Sequence, residues 1–250
     1  MVGALKCLVG LGLVATLGIV AGVYFALFGV GEQVSSVTPD LVPIDLNIPD
    51  QAPVNLPRAV ILPVPFTLQA PLGNWVQRQH TCEEASLVMV DGYLHGDHSG
   101  NLIDPRTAEQ AINQMTGWKP SVDLTTQEVG ELAKEYLHWE FKVLPADRLN
   151  MKQQLALGRP LIVGVRTHGL GNPNYPGYLN HFEEPNYSVS HYVVVIGYES
   201  DNYVLNDPGV THGKGYHISF DQLMHAIDDL DQAYPNLNSG RVFVVLAPSS

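Results

Sequence analysis

Cys82 is the residue whose type and position most clearly offer chemistry. The 250-residue chain has two cysteines, and Cys7 lies inside an apolar run, so Cys82 stands alone in the polar part of the sequence. It falls where the polar loop GNWVQRQHT gives way to the apolar-periodic stretch ASLVMV. A cysteine at a helix N-terminus sits among unpaired N–H groups that favour the thiolate, which is the nucleophilic form. A thiolate nucleophile needs a base and a third group that holds the base. His191 opens the run HYVVVIGY and Asp207 closes the run YVLND. If these runs pair as a hairpin, the start of the first lies beside the end of the second. The expected set is therefore Cys82 as nucleophile, His191 as base and then acid, and Asp207 as the group that orients the imidazole. An oxyanion hole needs donors aimed at the developing charge. The Cys82 backbone N–H is one candidate. Gln69 is the side-chain candidate, with Gln77 and Gln79 as alternatives.

The elements that must position these residues follow from pattern. Thr81 can cap a helix beginning at Cys82, with Glu83 and Glu84 in a first turn where negative charge suits the dipole. The apolar periodicity of that helix predicts one buried face. Asp104-Pro105 starts a second helix, PRTAEQAINQM. TTQEVGELAKEYL reads as a third, and PADRLNMKQQLALG as a fourth closed by Gly158. Ahead of them, AVILPVPF is β-branched and bounded by prolines, which reads as an edge strand. From Arg159 onward the pattern becomes strands: PLIVGVR, HYVVVIGYE, YVLND, GYHIS and RVFVVLA, with FDQLMHAIDDL as a short helix. Helices first and strands afterwards indicate an α+β domain. The long loop THGLGNPNYPGYLNHFEEPNYS interrupts the sheet half and is of a length usually tied to function or disorder.

The N-terminus carries a different signal. Residues 7–30 contain no charge. As a helix they would span roughly 36 Å, enough to cross a hydrocarbon core. Lys6 before the run and Glu32 after it orient residues 1–6 to the cytoplasm and the remainder outside. The expectation is a transmembrane helix or signal anchor at 7–30 in the cell membrane, or a secreted domain if this segment is cleaved. The stretch 31–58 carries five prolines and reads as a semi-extended linker. Residues 59–250 form the main domain. The net charge of −12 argues against nucleic acid as a partner, because phosphate backbones call for basic patches.

The blocks PFTLQAP, GNW and CEEASLVM, then LGNPNY, SHYVVVIGY, NDPG and GKGYHISFDQLMHAI, resemble the bacterial cysteine peptidase-like family related to double-glycine (bacteriocin-processing) leader peptidases. The similarity spans about residues 60–247, with several separate blocks in order. It implies a papain-like fold, a nucleophile matching Cys82, a histidine matching His191, an aspartate matching Asp207 and an oxyanion glutamine best matched by Gln69. It also implies cleavage of peptide bonds in a peptide or protein substrate, with no metal or organic cofactor. One departure stands out. Many relatives follow the cysteine with a small residue and proline, whereas Glu83 and Glu84 follow Cys82. They would raise the thiol pKa if they faced it. Relatives fused to export transporters work in the cytoplasm, so their leader-peptide substrate does not carry over to a domain expected outside it.

Other candidates read as structure. His95, Asp97 and His98 share one loop without a metal-ligand spacing and read as a solvated turn. His168 and His181 flank the long loop, Asn172 reads as a turn former, and Trp75 and Trp118 as packing residues. The function expected is hydrolysis of peptide or amide bonds outside the cytoplasm, through an acyl-enzyme on Cys82. Two alternatives share the same cleft: amidase or transpeptidase action on cell-wall peptides, and an inactive module that binds a peptide or polymer.

Overall fold

The computed structural model describes residues 55–119, 123–170, 189–237 and 240–248. The expected membrane segment at 7–30, nearly all of the linker, and Asn172 and His181 lie outside the described residues. Those described belong to one compact unit, Ser36–Ser250. Among them, no helix is long and apolar enough to cross a membrane.

The chain forms an α+β domain. Strand β1 (Ala59–Ile61) leads to helix α1 (Cys82–Leu94), α2 (Pro105–Met115) and α3 (Thr126–Leu132), which runs into a π-helical turn at Ala133–Leu137. Strand β2 (Glu140–Pro145), helix α4 (Arg148–Ala156) and strand β3 (Leu161–Arg166) come next. A single helical turn at Thr167–Leu170 precedes the undescribed loop. Strands β4 (Ser190–Glu199), β5 (Asn202–Asn206) and β6 (Lys214–Ser219), helix α5 (Phe220–Ala233) and strand β7 (Val242–Ala247) complete the fold. The strands make one sheet in the order β2-β7-β3-β4-β5-β6, with β1 added against β4. Every strand pairing is antiparallel.

The helix starts follow from side-chain caps. Asp104 accepts from the N–H groups of Arg106 and Thr107, and Pro105 takes the first helical position, where its missing donor costs nothing. Thr125 and Glu128 form a reciprocal capping box at α3. Asp147 caps α4, and Gly158 closes it at φ +78°.

Three expectations change. The first half, read as mostly helical after its edge strand, holds one further strand, because Glu140–Pro145 pairs along its whole length with β7. Only Ala59–Ile61 of AVILPVPF is strand; Pro63 and Pro65 have no N–H to give a ladder, and Phe66 instead bridges Leu102 in parallel. The third change concerns α1, which is buried almost all round rather than along one face. It packs on β4 and α2, so few positions are left for solvent, and even Glu83 and Glu84 are covered. Strands β3 and β4 are buried along nearly their full lengths. They supply much of the core, through Leu161, Ile162, Val163, Val193, Val194 and Val195.

Candidate active site

The β4–β5 hairpin does what its short turn demands. Glu199 faces Asn202 and Val194 faces Asn206 across a bulge near Ile196, and Asp207 follows directly. His191, near the start of β4, pairs with Val165 on its other side. The two side chains meet with His191 Nε2 2.6 Å from Asp207 Oδ1. Asp207 is wholly buried, and its Oδ1 also accepts from the Gly209 N–H at 2.7 Å. Its own N–H donates to Gly213 O at 2.8 Å. The chain from Asp207 to Gly213 thus curls tightly around one carboxylate.

That curl requires glycine. A Cβ on Gly213 would lie 1.9 Å from Asp207 O, and one on Gly209 would lie 2.8 Å from His191 Cε1. The first obstacle is backbone and cannot swing aside. Gly213→Ala is expected to destabilise the domain by on the order of 3 kcal/mol, as overpacking does, and to depress turnover by displacing Asp207. A urea midpoint equal to that of the parent would refute this account of the loop.

Cys82 is the first residue of α1, and its buried Sγ lies beside the backbone N–H of Tyr192. The residue next to His191 in sequence therefore touches the thiol, and this links Cys82 to the His191–Asp207 pair. Because Asp207 holds Nε2, the nitrogen left to His191 for a reacting proton is Nδ1.

The thiol donates its hydrogen bond to Glu83 Oε2 at 3.0 Å. Burial pushes the Cys82 thiol well up, the charges of Glu83 and Glu84 push it further, and only the Tyr192 N–H opposes them. The helix N-terminus was expected to favour a thiolate. In this arrangement desolvation and the acidic pair outweigh it.

The two glutamates titrate far from the ordinary 4.5 of a glutamate. Burial, then the charge of Glu84, pushes Glu83 up to about 8. Burial pushes Glu84 up to about 7. Leu124 N–H donates to Glu83 Oε1 at 3.2 Å and relieves part of that penalty. Both carboxyls therefore carry less negative charge toward the helix N-terminus at neutral pH than ordinary glutamates would.

The sign of the linkage is fixed by these upward shifts. The folded chain holds protons that the unfolded chain releases, so this contribution to stability is complete below about 4.5 and is lost as pH rises through about 8. Glu83→Gln should remove much of that loss, gaining stability over the parent by on the order of a few kcal/mol as pH is raised across this window. The same variant should shift the pH profile of Cys82 alkylation to lower pH, because the thiolate no longer forms beside a carboxylate. An unshifted alkylation profile would show that Glu83 does not control the thiol.

Gln69 is buried beside the same turn. Its N–H donates to Pro208 O at 2.9 Å, and its carbonyl accepts from Thr81 Oγ1 at 3.1 Å. It therefore ties the segment before Cys82 to the one after Asp207. Its side-chain Nε2 donates to Arg78 O at 2.7 Å and, more weakly, to Gln79 O at 3.3 Å. The side chains of Gln77 and Gln79 are on exposed residues. Thr81 does not cap α1 with its side chain; its hydroxyl turns back to Gln69 O and Arg78 O.

Arg78 is a residue the sequence reading missed. It is buried, and its guanidinium reaches Glu109 Oε1, Asn113 Oδ1 and Thr116 Oγ1 of the α2 region. It clamps the loop that delivers Cys82, and nothing in an isolated arginine signals that. Tyr192 was also missed; its hydroxyl donates to Leu124 O at 2.9 Å. Trp118 Nε1 donates to Glu135 Oε2 at 2.6 Å, and Trp75 lies in a 3₁₀ turn. His95 leans on Asp91 at 3.1 Å, and Asp97 and His98 are exposed like it. Among the described residues no group of three or more His, Cys, Asp or Glu is arranged to hold a metal ion.

An antiparallel sheet with a buried helix on it, and a cysteine at that helix's N-terminus, defines a papain-like α+β fold. A model described as the Peptidase_C39 like family matches residues 61–239. The chain belongs to that family, and with it to the cysteine peptidases. A Bacillus anthracis protein classed as a C39-like peptidase is similar in structure. It is 18% identical with a TM-score of 0.50, over 78% of this chain and 100% of that one. Two other structures align less well. The peptidase domain of Streptococcus ComA, a bi-functional ABC transporter involved in quorum sensing, is 18% identical over 68% of this chain and 93% of its own, with a TM-score of 0.44. Xylellain, a cysteine protease from Xylella fastidiosa, is 13% identical over 86% of this chain and 97% of its own, with a TM-score of 0.36. No curated protein matches the chain.

Proposed function

We propose that this chain hydrolyses peptide bonds outside the cytoplasm, with Cys82, His191 and Asp207 as its catalytic set. The observation that carries the reading is the 2.6 Å His191–Asp207 contact, one residue from the backbone N–H that touches the Cys82 thiol. His191 Nδ1 takes the thiol proton, and Sγ attacks the scissile carbonyl carbon. The C–N bond breaks as the imidazolium returns the proton to the leaving amine, and water then releases the acyl group. The oxyanion is met by the Cys82 N–H and by Gln69 Nε2, whose long 3.3 Å bond to Gln79 O is the one that gives way. Asp207 holds the ring in the tautomer that leaves Nδ1 free. None of these steps calls for a metal or an organic cofactor.

The uncharged run at 7–30 supports a membrane anchor, and the prolines of 31–58 a spacer, with the peptidase domain on the far side from residues 1–6. The test is to incubate the full chain with a peptide mixture drawn from a proteome digest and to identify new N-termini by mass spectrometry. New termini that are absent with the Cys82→Ala chain support the reading; identical profiles end it. A second reading, a peptide-binding module, is favoured by the thiol bonded to Glu83. It would show as peptide retention without cleavage and without labelling of Cys82 by peptidyl acylating probes.

A further inference from the structure

Gln69 offers the oxyanion its side-chain amide, but nothing in the glutamine itself aims that group. The terminal torsion of a glutamine is soft, so its amide plane is set by whatever accepts its hydrogens. Here the tighter acceptor is the backbone carbonyl of Arg78, at 2.7 Å. The same carbonyl faces the hydroxyl of Thr81, the residue before Cys82, at 3.2 Å. The aim of the donor therefore depends on where the chain at Arg78 is held.

It is held from α2. Glu109 Oε1 accepts from Asn74 Nδ2 at 2.9 Å, from Arg78 Nε at 3.2 Å and from Arg78 Nη2 at 2.5 Å. Asn74 and Arg78 flank the 3₁₀ turn Trp75–Gln77. The turn closes on itself through Gln77 N–H to Asn74 O and Arg78 N–H to Trp75 O, both at 3.0 Å. One carboxylate oxygen thus pins both ends of the turn that presents Arg78 O to Gln69. Arg78 and Glu109 are both buried, where charge-assisted bonds are strong and hold their geometry.

We propose that Glu109 is a positioning residue for peptide hydrolysis: through Asn74 and Arg78 it fixes the carbonyl that aims Gln69 Nε2 at the oxyanion. The inference rests on the peptidase reading, with Gln69 as oxyanion donor, and adds a residue that acts on the reaction from another helix. A donor already aimed needs no reorganisation when the charge develops, and its catalytic value lies there. With the Glu109 carboxylate removed, the turn loses the anchor common to its two ends. Gln69 then loses its fixed acceptor, and its amide has to be aimed afresh in each turnover.

The experiment introduces Glu109→Ala into the full chain and into the full chain carrying Gln69→Ala, read with a peptide that the parent cleaves. In the parent background kcat is expected to fall by about tenfold or more, with KM within about twofold of the parent value. In the Gln69→Ala background the same substitution should cost almost nothing further, because the group it acts through is gone. Glu109→Gln keeps an acceptor for Asn74 and Arg78 and should recover most of the loss. A kcat equal to the parent's, a loss carried by KM, or an equal loss in both backgrounds overturns the proposal and leaves the peptidase reading intact. If the parent cleaves no peptide, the peptidase reading fails. The positioning is then decided by NMR of the ¹⁵N-glutamine-labelled full chain in detergent, with the Gln69 side-chain amide assigned by its loss in Gln69→Ala. In the parent its two protons should be well separated and slow to exchange. Loss of both features in Glu109→Ala supports the proposal, and unchanged signals overturn it. If Glu109→Ala does not fold, Asn74→Ala, at a half-buried residue, releases one end of the turn and is judged by the same criteria.

Discussion

Cys82→Ala is expected to lower peptide turnover by on the order of 10⁴-fold or more, with labelling by thiol-directed acylating probes lost as well. The fold should persist. Sγ is a small part of a well-packed surrounding, with Ala85, Met89 and Tyr192 all buried nearby in sequence or across α1 and β4. The thiol's single donated bond, to Glu83 Oε2, goes to a carboxyl whose other oxygen keeps its bond from the Leu124 N–H. The melting temperature should therefore stay within about 5 °C of the parent. Measuring turnover, labelling and melting on one preparation separates loss of chemistry from loss of structure. Hydrolysis that continues in this variant would remove Cys82 from the mechanism.

Asp207→Asn should cost less, about 10²- to 10⁴-fold in kcat, with KM nearly unchanged. The amide oxygen can still accept from the Gly209 N–H, as Oδ1 does at 2.7 Å, so the turn to Gly213 has no reason to open. What changes is the charge beside His191 Nε2, which meets the same Oδ1. A neutral amide stabilises the imidazolium less, and turning its NH₂ to that position would impose the wrong tautomer and give up the Gly209 bond. Kinetics should be read together with ¹⁵N shifts of the His191 ring, which report the tautomer directly. Parent-like kcat with an altered tautomer would show that the ring's orientation does not limit the reaction.

Much of the candidate site's geometry was legible because local chemistry dictated it. The turn between HYVVVIGYE and YVLND is too short for anything but a hairpin, so His191 and Asp207 had to end near one another. Asp104-Pro105 announced α2, whose bounds, Pro105–Met115, are those the sequence suggests. The helix read as FDQLMHAIDDL runs on to Ala233, because no breaker follows it before Tyr234-Pro235. The misses share a cause, which is long-range partnership. Glu140–Pro145 becomes a strand because β7 pairs with it, and its own pattern of mixed charge and apolar residues does not require that. Glu83 and Glu84 read as first-turn charges suited to the helix dipole; the burial of Glu83 depends on the chain around Leu124 folding over it. Arg78 looks like a surface arginine until Glu109 and Asn113, a helix away, close on it. The meeting of Cys82 with Tyr192 depends on how α1 packs against β4, which no spacing in the sequence encodes.

Strand β1 has a mechanical consequence. It lies against β4 through Ala59↔Glu199, Val60↔Tyr198 and Ile61↔Gly197, and Tyr198 Oη donates to Pro57 O at 2.9 Å just ahead of it. Gly197 admits the approach, since a Cβ there would stand 2.2 Å from Val60 O. Any tension on the chain ahead of Ala59 is thus delivered to the strand that carries His191. Where the pull runs along the strand axis, it loads several hydrogen bonds together as shear, the geometry in which a ladder resists force best. A pull from the N-terminal side would strain this seam before it reached the loop around Asp207.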